Sequence, residues 1–198
     1  MKIGVLAVQG AFIEHIAMLK KLGVDCVEIR QKKDLKNIDG VVLPGGESTV
    51  QGKLLRELDL LEPLRAKINE GLPVLATCAG LILLAGHIEN DDNVHLGTLP
   101  VTVRRNAYGR QLGSFCITAP IKGVKEYPMV FIRAPYIVKA NPEVSILSTV
   151  SGNIVGVRYE NQIGLSFHPE LTGDTSIHAW FVDIVKHYCE ADLKEYVS

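Results

Sequence analysis

Cys78 is the residue whose surroundings point most directly to chemistry. It follows an apolar run at 73–77 and precedes a second apolar stretch, with the small residues Ala76 and Gly80 two positions away on either side. A sharp strand-to-helix turn that exposes a nucleophile tolerates only small side chains at these two positions. The following helix presents its positive end to the thiol, which favours the thiolate and makes the N–H of Ala79 an oxyanion donor. The segment predicts a cysteine nucleophile; a buried structural thiol at an ordinary β-to-α turn is the alternative.

A histidine and a glutamate separated by one proline could supply the base that a thiol nucleophile requires. His168 and Glu170 lie in GLSFHPELTG, directly after another apolar run. The proline restrains the turn, so that the imidazole and the carboxylate can point the same way, and the carboxylate then orients the imidazole. An isolated His-Pro-Glu is more often a surface turn at a strand end. We interpret the other histidines as solvated or structurally satisfied: His15, His87, His95, His178 and His187.

Paired glycines end a third apolar run. In LPGGEST, at 43–49, Gly45 and Gly46 allow the backbone to present N–H groups without a Cβ in the way, which suits an oxyanion or a substrate carboxylate. A Gly-Gly turn is by itself commonplace and mostly structural. Its position at the carboxyl end of a predicted parallel strand places it where open α/β sheets bind ligands.

Alternating strand and helix patterns predict the scaffold that positions these motifs. Amphipathic helical patterns separate four short apolar runs, which predicts a parallel sheet covered by helices: 3–8, 24–30, 40–44 and 73–77. Beyond about residue 94, short strand candidates separated by turn residues extend the sheet or form an antiparallel layer. A last helix is predicted at 174–190, with Asp174 as its N-cap. We predict a single α/β domain over residues 1–198, with a mostly parallel sheet flanked by helices and added antiparallel strands in the second half.

Composition and charge exclude several classes of protein. The chain has 198 residues, 47% of them hydrophobic, and its 21 basic and 22 acidic residues are mixed without a run of like charge. Nucleic acid and membranes are therefore not expected partners, and no apolar stretch reaches the roughly 18 residues of a membrane helix, so we predict a soluble, cytoplasmic protein. The wide spacing of the cysteines predicts neither a metal site nor a disulfide framework. Apart from Cys78, we interpret them as small buried hydrophobes: Cys26, Cys116 and Cys189.

Six segments together carry a resemblance to a known family. LAVQGAF, LPGGEST, ATCAGLILLA, RRNAYGRQ, FIRAP and SFHPELT resemble the class I glutamine amidotransferases, and among them the glutaminase subunits of pyridoxal 5'-phosphate synthase. The match runs from the first predicted strand to the last helix. The resemblance implies a flavodoxin-like three-layer α/β fold and the hydrolysis of L-glutamine to L-glutamate and ammonia, without a cofactor or a metal.

The resemblance also implies roles for individual residues. Cys78 attacks the side-chain amide of glutamine, His168 moves the protons, and Glu170 holds His168 in its working tautomer. The family usually has glycine where this chain has Ala76, and we expect a slightly shifted turn with activity preserved. The implied oxyanion donors are Gly46 and Ala79. The residues implied to contact glutamine are Gly46, Glu47, Ser48, Arg105, Ile132 and Arg133, and either arginine could pair with the α-carboxylate.

A partner follows from the same resemblance. It is a separate (β/α)8-barrel synthase subunit that consumes the ammonia to build pyridoxal 5'-phosphate, and Gln9 is an implied contact in the coupling between the two subunits. Two alternatives remain open. One is the glutaminase subunit of another amidotransferase, such as imidazole glycerol phosphate synthase. The other is a non-catalytic interaction protein of the same fold, as in DJ-1-like proteins, in which Cys78 is redox-sensitive or inert.

Overall fold

The predicted alternation of strands and helices is present in the first half of the chain. A computed structural model describes residues 1–106 and 113–197. The elements up to the Cys78 turn and its helix are β1 (Lys2–Leu6), α1 (Phe12–Lys21), β2 (Asp25–Ile29), β3 (Gly40–Leu43), α2 (Ser48–Glu57), α3 (Leu61–Asn69), β4 (Val74–Thr77) and α4 (Ala79–Leu84). Strands β1, β3 and β4 are short and almost fully buried, as expected of a parallel sheet covered on both faces, whereas in the edge strand β2 only Ile29 is buried.

The second half consists of strands and one long helix. Its elements are β5 (Ala85–Ile88), β6 (Leu99–Arg104), β7 (Ser114–Ile121), β8 (Lys125–Ile132), β9 (Tyr136–Ala140), β10 (Ser145–Val150), β11 (Asn153–Tyr159), β12 (Gln162–Leu165) and α5 (Ser176–Val197). The predicted last helix is present, but it begins two residues later and extends to Val197 instead of residue 190. The N–H of Ser176 donates to Asp174 Oδ1 at 2.8 Å. Within the described residues, no helix is both long and apolar enough to cross a membrane.

In the described part of the chain, ten strands form one sheet in the order β2-β1-β3-β4-β12-β11-β9-β6-β5, with β10 paired to β11. The five strands from β2 to β12 are parallel, and the pairs β12-β11, β11-β9 and β9-β6 are antiparallel. Strands β7 and β8 form a separate hairpin. Both predicted outcomes for the late strands therefore occur, because some of them extend the sheet while β7 and β8 form an added antiparallel layer. The predicted α/β fold class is confirmed.

Helices cover both faces of the sheet, because alternate residues of each strand enter different cores. In β3, Val41 and Leu43 face the core that includes side chains of α2, α3 and α4, whereas Val42 faces the core that includes those of α1, α5 and β8. Ala76 is fully buried in the first core, so its methyl group is packed among apolar side chains. Because the three layers are closely packed, the ends of the strands are held in fixed positions.

One prediction about the cysteines is wrong. Cys116 is exposed on β7, and Cys26 and Cys189 are only partly buried. The alternating pattern of SFCITA correctly predicts a strand, but the strand lies in a two-stranded hairpin with one face toward solvent, and Cys116 is on that face.

The carboxyl ends of four adjacent strands carry the motifs that the sequence singles out. The order β1-β3-β4-β12 places the segments that follow these strands side by side at one edge of the sheet. Those segments contain Gln9, the Gly45–Gly46 turn, Cys78 and His168. Carboxyl edges of parallel strands are where such folds bind ligands.

We expect Gly80→Ala to destabilise the protein. A Cβ on Gly80 would lie 2.0 Å from the carbonyl oxygen of Leu43, and this backbone atom cannot move without disturbing β3. Overpacking of this kind costs about 1–3 kcal/mol in free energy of unfolding, which chemical denaturation measures. Gly173→Ala is the matched control, because a Cβ there has no atom within 4 Å. Equal stability of the two variants would contradict the close approach of Gly80 to β3.

Candidate active site

Cys78 lies at a strained turn between β4 and α4. Its backbone has φ 49° and ψ −103°, a conformation that residues with a Cβ rarely adopt and that costs on the order of 1–3 kcal/mol. The turn is held by its N–H, which donates to the carbonyl of Leu165 on β12 at 2.8 Å, and by the contact of Gly80 with β3. The predicted strand-turn-helix geometry is present, although α4 is only six residues long. The side chain is 7% exposed, so the thiol reaches the surface through a narrow opening.

His168 and Glu170 meet as the His-Pro-Glu motif predicts. Nδ1 of His168 lies 2.7 Å from Oε1 of Glu170, and both side chains are buried. Cys78 also lies close enough to His168 to act on its pKa, and the Cys78 Sγ donates to the carbonyl of Ile132 at 3.9 Å. Because Nδ1 faces the carboxylate, Nε2 is the ring nitrogen that is available to the thiol. The backbone of this turn is tied to β8 through the N–H of His168, which donates to the carbonyl of Val130 at 2.8 Å.

The contacts of His168 favour its charged form. Burial lowers the pKa of His168, but hydrogen bonds to Cys78 and Glu170, together with the negative charge of both groups, raise it to about 10. Burial acts to raise the pKa of Glu170, but the hydrogen bond from His168 and the positive charge of its ring act in the opposite direction, and the pKa is lowered. The cluster therefore holds His168 as an imidazolium beside the Glu170 carboxylate at neutral pH.

The Gly45–Gly46 turn lies directly against this cluster. A Cβ on Gly45 would lie 2.3 Å from Cε1 of His168, so only glycine allows this approach. The carbonyl of Gly45 accepts a hydrogen bond from the N–H of Ala11 at 3.0 Å. Since a trans peptide directs its C=O and N–H to opposite sides, the N–H of Gly46 points away from Ala11. Gln9 holds the following peptide, because its Oε1 accepts the N–H of Glu47 at 2.9 Å.

A cavity of about 240 Å³ opens above Cys78. All six residues predicted to contact glutamine line it, as do Gln9, Ala79 and His168. Three further residues line it that the sequence did not single out: Thr49, Ile82 and Asn106. Residues 107–111 of the RRNAYGRQ segment lie outside the described residues, so only its first three residues are placed.

The two arginines at the cavity have different surroundings. Arg105 pairs with Asp91 at 2.7 Å and donates to Thr49 Oγ1 at 3.3 Å. The side chain of Arg133 is exposed, and within residues 1–106 and 113–197 it makes no ion pair with a carboxylate. A carboxylate that enters the cavity therefore meets one arginine that is already neutralised and another that is not.

A second layer of polar residues lies under the cluster, and no sequence motif points to it. His15 and His178 are fully buried and contact each other, and His15 also contacts Thr77 and Glu170. Of the two readings, solvated or structurally satisfied, the second holds for both residues. Both fall in ordinary amphipathic helix patterns, and only the packing of α1 and α5 on the same sheet face brings them together. Tyr127 was not predicted either. Its hydroxyl donates to the carbonyl of Asp174 at 2.9 Å, which stabilises the segment that follows the His-Pro-Glu turn.

Within the described residues, no group of histidine, cysteine or acidic side chains is arranged to hold a metal ion. The groups that the cavity presents are the sulfur of Cys78, the imidazolium of His168 and backbone N–H groups. These are the components of acyl transfer through a covalent thioester.

Comparison with known proteins agrees with the geometry. Residues 5–187 match the model of the SNO glutamine amidotransferase family. A relative from Desulfitobacterium hafniense, named pyridoxal 5'-phosphate synthase subunit PdxT, is 62% identical over 93% of this chain and 94% of its own length. A protein of the same name from Haemophilus influenzae is 53% identical over 94% of this chain and 99% of its own length.

Solved structures are similar over nearly the whole chain. A crystal structure of a glutamine amidotransferase superimposes with a TM-score of 0.90 at 40% identity, covering 93% of this chain and 98% of that one. The structure of PurLQS from Thermotoga maritima has a TM-score of 0.66 at 16% identity, which shows the shared fold. On the family match and the identity to these relatives, the chain belongs to the SNO glutamine amidotransferase family.

Proposed function

We propose that this chain is the glutaminase subunit of a pyridoxal 5'-phosphate synthase, and that it hydrolyses L-glutamine to L-glutamate and ammonia at Cys78. The observation that carries the proposal is the alignment of Cys78, His168 and Glu170 at the base of a cavity lined by the residues implied to bind glutamine. The names of its relatives from Desulfitobacterium hafniense and Haemophilus influenzae support the assignment to this synthase.

The reaction begins with attack of the Cys78 sulfur on the side-chain amide carbon of glutamine. The carbonyl oxygen becomes an oxyanion, for which the N–H groups of Ala79 and Gly46 are the proposed donors. Ala79 is the first residue of α4, so its N–H has no partner within the helix. His168 then donates its proton to the leaving nitrogen, and ammonia departs as the γ-glutamyl thioester forms.

The second half of the reaction returns the enzyme to its starting state. Neutral His168 removes a proton from a water molecule, whose oxygen attacks the thioester carbon. The carbon–sulfur bond breaks, glutamate leaves, and the thiolate and imidazolium are restored. Glu170 stabilises the imidazolium through its 2.7 Å contact with Nδ1 and holds the tautomer in which Nε2 faces the reacting atoms.

The proposed fate of the ammonia is transfer to a barrel synthase subunit. Gln9 is the proposed coupling residue, because its side chain accepts the Glu47 N–H next to the Gly45–Gly46 turn and its carbonyl accepts from Gln51 Nε2 at 3.0 Å. A partner that moved Gln9 would therefore act directly on the turn that carries an oxyanion donor.

Both alternatives are less well supported. A glutaminase of imidazole glycerol phosphate synthase would not explain relatives that carry the name of a pyridoxal 5'-phosphate synthase subunit at up to 62% identity. A non-catalytic DJ-1-like protein has no need for a histidine whose contacts with Cys78 and Glu170 raise its pKa to about 10.

Glutamate release is the direct test of the proposed activity. We expect the wild-type chain to release glutamate from glutamine mainly when the barrel synthase subunit is present, and Cys78→Ala to reduce the rate by more than about 10³-fold. Cys116→Ala is the matched control, because Cys116 is exposed and lies outside the cavity lining. Wild-type chain that releases no glutamate in either condition would contradict the proposal.

The titration of His168 tests its contact with Cys78. Cys78→Ala removes a hydrogen bond and a negative charge that raise the pKa of His168, so we expect the ring to titrate at lower pH than in the wild type, as measured by NMR. Because the folded pKa is above the ordinary value of about 6.5, protonated His168 stabilises the fold below about pH 6.5, and this stabilisation is lost as the pH rises toward 10. The same titration in both proteins would contradict the contact.

The two arginines are expected to differ in their effect on substrate binding. Arg133→Met removes the guanidinium that is not paired, and we expect KM for glutamine to rise by about 10-fold or more with kcat changed less, since one charge-assisted pair contributes about 1.5–3 kcal/mol. Arg105→Met, with its guanidinium already paired to Asp91, is the comparison variant and should raise KM less. Steady-state kinetics of the complex decide this, and a larger KM effect at Arg105 would reverse the assignment.

A further inference from the structure

A chain of buried polar contacts runs beneath the candidate active site. Nε2 of His178 lies 3.0 Å from Nδ1 of His15, and Nε2 of His15 lies 3.1 Å from Oγ1 of Thr77. The Thr77 hydroxyl accepts a hydrogen bond from the N–H of Gly45 at 3.1 Å. His15, His178 and Thr77 are all fully buried. These contacts thus connect α5, α1 and β4 to the Gly45–Gly46 turn.

His15 also faces the second oxygen of the Glu170 carboxylate. Its Nε2 lies 3.2 Å from Oε2, and within the described residues Oε2 accepts no well-aligned hydrogen bond. This contact is not an ion pair, because burial lowers the pKa of His15 more than the charge of Glu170 raises it, and His15 is neutral. His178 is neutral for the same reason, since burial is the main cause that lowers its pKa to about 3.

The contacts select one tautomer of His15. A neutral imidazole carries a single N–H, and a lone pair of Nε2 aimed at a buried carboxylate oxygen would leave that oxygen without a donor. Repulsion between that lone pair and the carboxylate charge favours the proton on Nε2, which is hydrogen-bonded to Thr77 Oγ1 and lies 3.2 Å from Glu170 Oε2. Nδ1 of His15 is then an acceptor, so Nε2 of His178 must donate to it. In this assignment Nδ1 of His178, which is buried and has no hydrogen-bond partner within the described residues, is an acceptor.

We infer that His15, held in its Nε2–H tautomer by His178, is a positioning residue that fixes both the Glu170 carboxylate and, through Thr77, the Gly45–Gly46 turn. The inference rests on the proposed function, and it assigns no contact of His15 with substrate. The neutral imidazole of His15 links the Glu170 carboxylate, which orients His168, to the Gly45–Gly46 turn, which carries an oxyanion donor. The positions of the carboxylate and of the turn then both depend on the position of α1.

Substitutions at Thr77 test the link to the glycine turn. Thr77→Val keeps the β-branched shape on β4 but removes the oxygen that accepts from Gly45, whereas Thr77→Ser keeps that oxygen. In the complex with the synthase subunit, we expect Thr77→Val to lower kcat for glutamine hydrolysis on the order of 10²-fold with KM nearly unchanged, as a misplaced oxyanion turn should. Thr77→Ser should restore most of the rate. A Thr77→Val enzyme as fast as wild type, or a Thr77→Ser enzyme as slow as Thr77→Val, would overturn the inference.

Substitutions at His15 test the link to Glu170 without relying on activity. His15→Leu removes the ring nitrogens, whereas His15→Gln keeps an N–H donor for the carboxylate. We expect the proton on Nδ1 of His168, observed by NMR in the free chain, to shift and exchange faster in His15→Leu and to remain near its wild-type position in His15→Gln. His187→Leu, which removes an exposed histidine of α5, is the control. A wild-type signal in His15→Leu would overturn the inference.

The two readouts separate this inference from the proposed function. Wild-type complex without glutaminase activity would defeat the proposed function, and the His168 signal would still decide whether His15 positions Glu170. Active wild-type complex with unaffected Thr77→Val would leave the proposed function intact and remove the positioning role. Circular dichroism of each variant identifies any that does not fold, and the Thr77→Ser and His15→Gln variants provide folded comparisons.

Discussion

The buried carboxylate of Glu170 is the group on which the arrangement of the site depends. An ionised carboxylate that is removed from water must be satisfied by protein donors, because leaving a buried charge unpaired costs several kcal/mol. His168 faces one of its oxygens at 2.7 Å and His15 faces the other at 3.2 Å. These two histidines come from opposite ends of the chain. The requirement to satisfy one carboxylate therefore ties the turn after β12 to α1, and through His178 to α5.

The strain at Cys78 is sustained by the same rigid surroundings. A residue with φ 49° between a strand and a helix persists only if its neighbours leave no relaxed alternative. Gly80 touches the backbone of β3, and the N–H of Cys78 is bonded to β12, so both neighbouring strands hold the turn. The parallel sheet, closed on both faces by helices, provides the stability that offsets this local cost.

Much of the fold and of the site could be predicted from local patterns. Buried strands, amphipathic helices and small residues around Cys78 depend on neighbours within a few positions, so the alternation of elements and the strand-turn-helix geometry follow from sequence. Motif matching also located most of the residues that line the cavity, but not Thr49, Ile82 and Asn106. The side on which late strands pair, the exposure of Cys116 and the short length of α4 depend on contacts that are distant along the chain, and the local pattern does not encode them.

By itself, the sequence determined the α/β class, the family resemblance and the identity of a thiol, an imidazole and a carboxylate at strand ends, because each of these has a local signature. Only the tertiary structure decided which buried groups satisfy the carboxylate. His15 and Thr77 are 62 residues apart and His15 and His178 are 163 apart, and each pair meets because helices and strands pack on one sheet. No local pattern distinguishes these histidines from others on a helix, since what selects their tautomers and charge is the low-dielectric interior that forms only when the chain has folded.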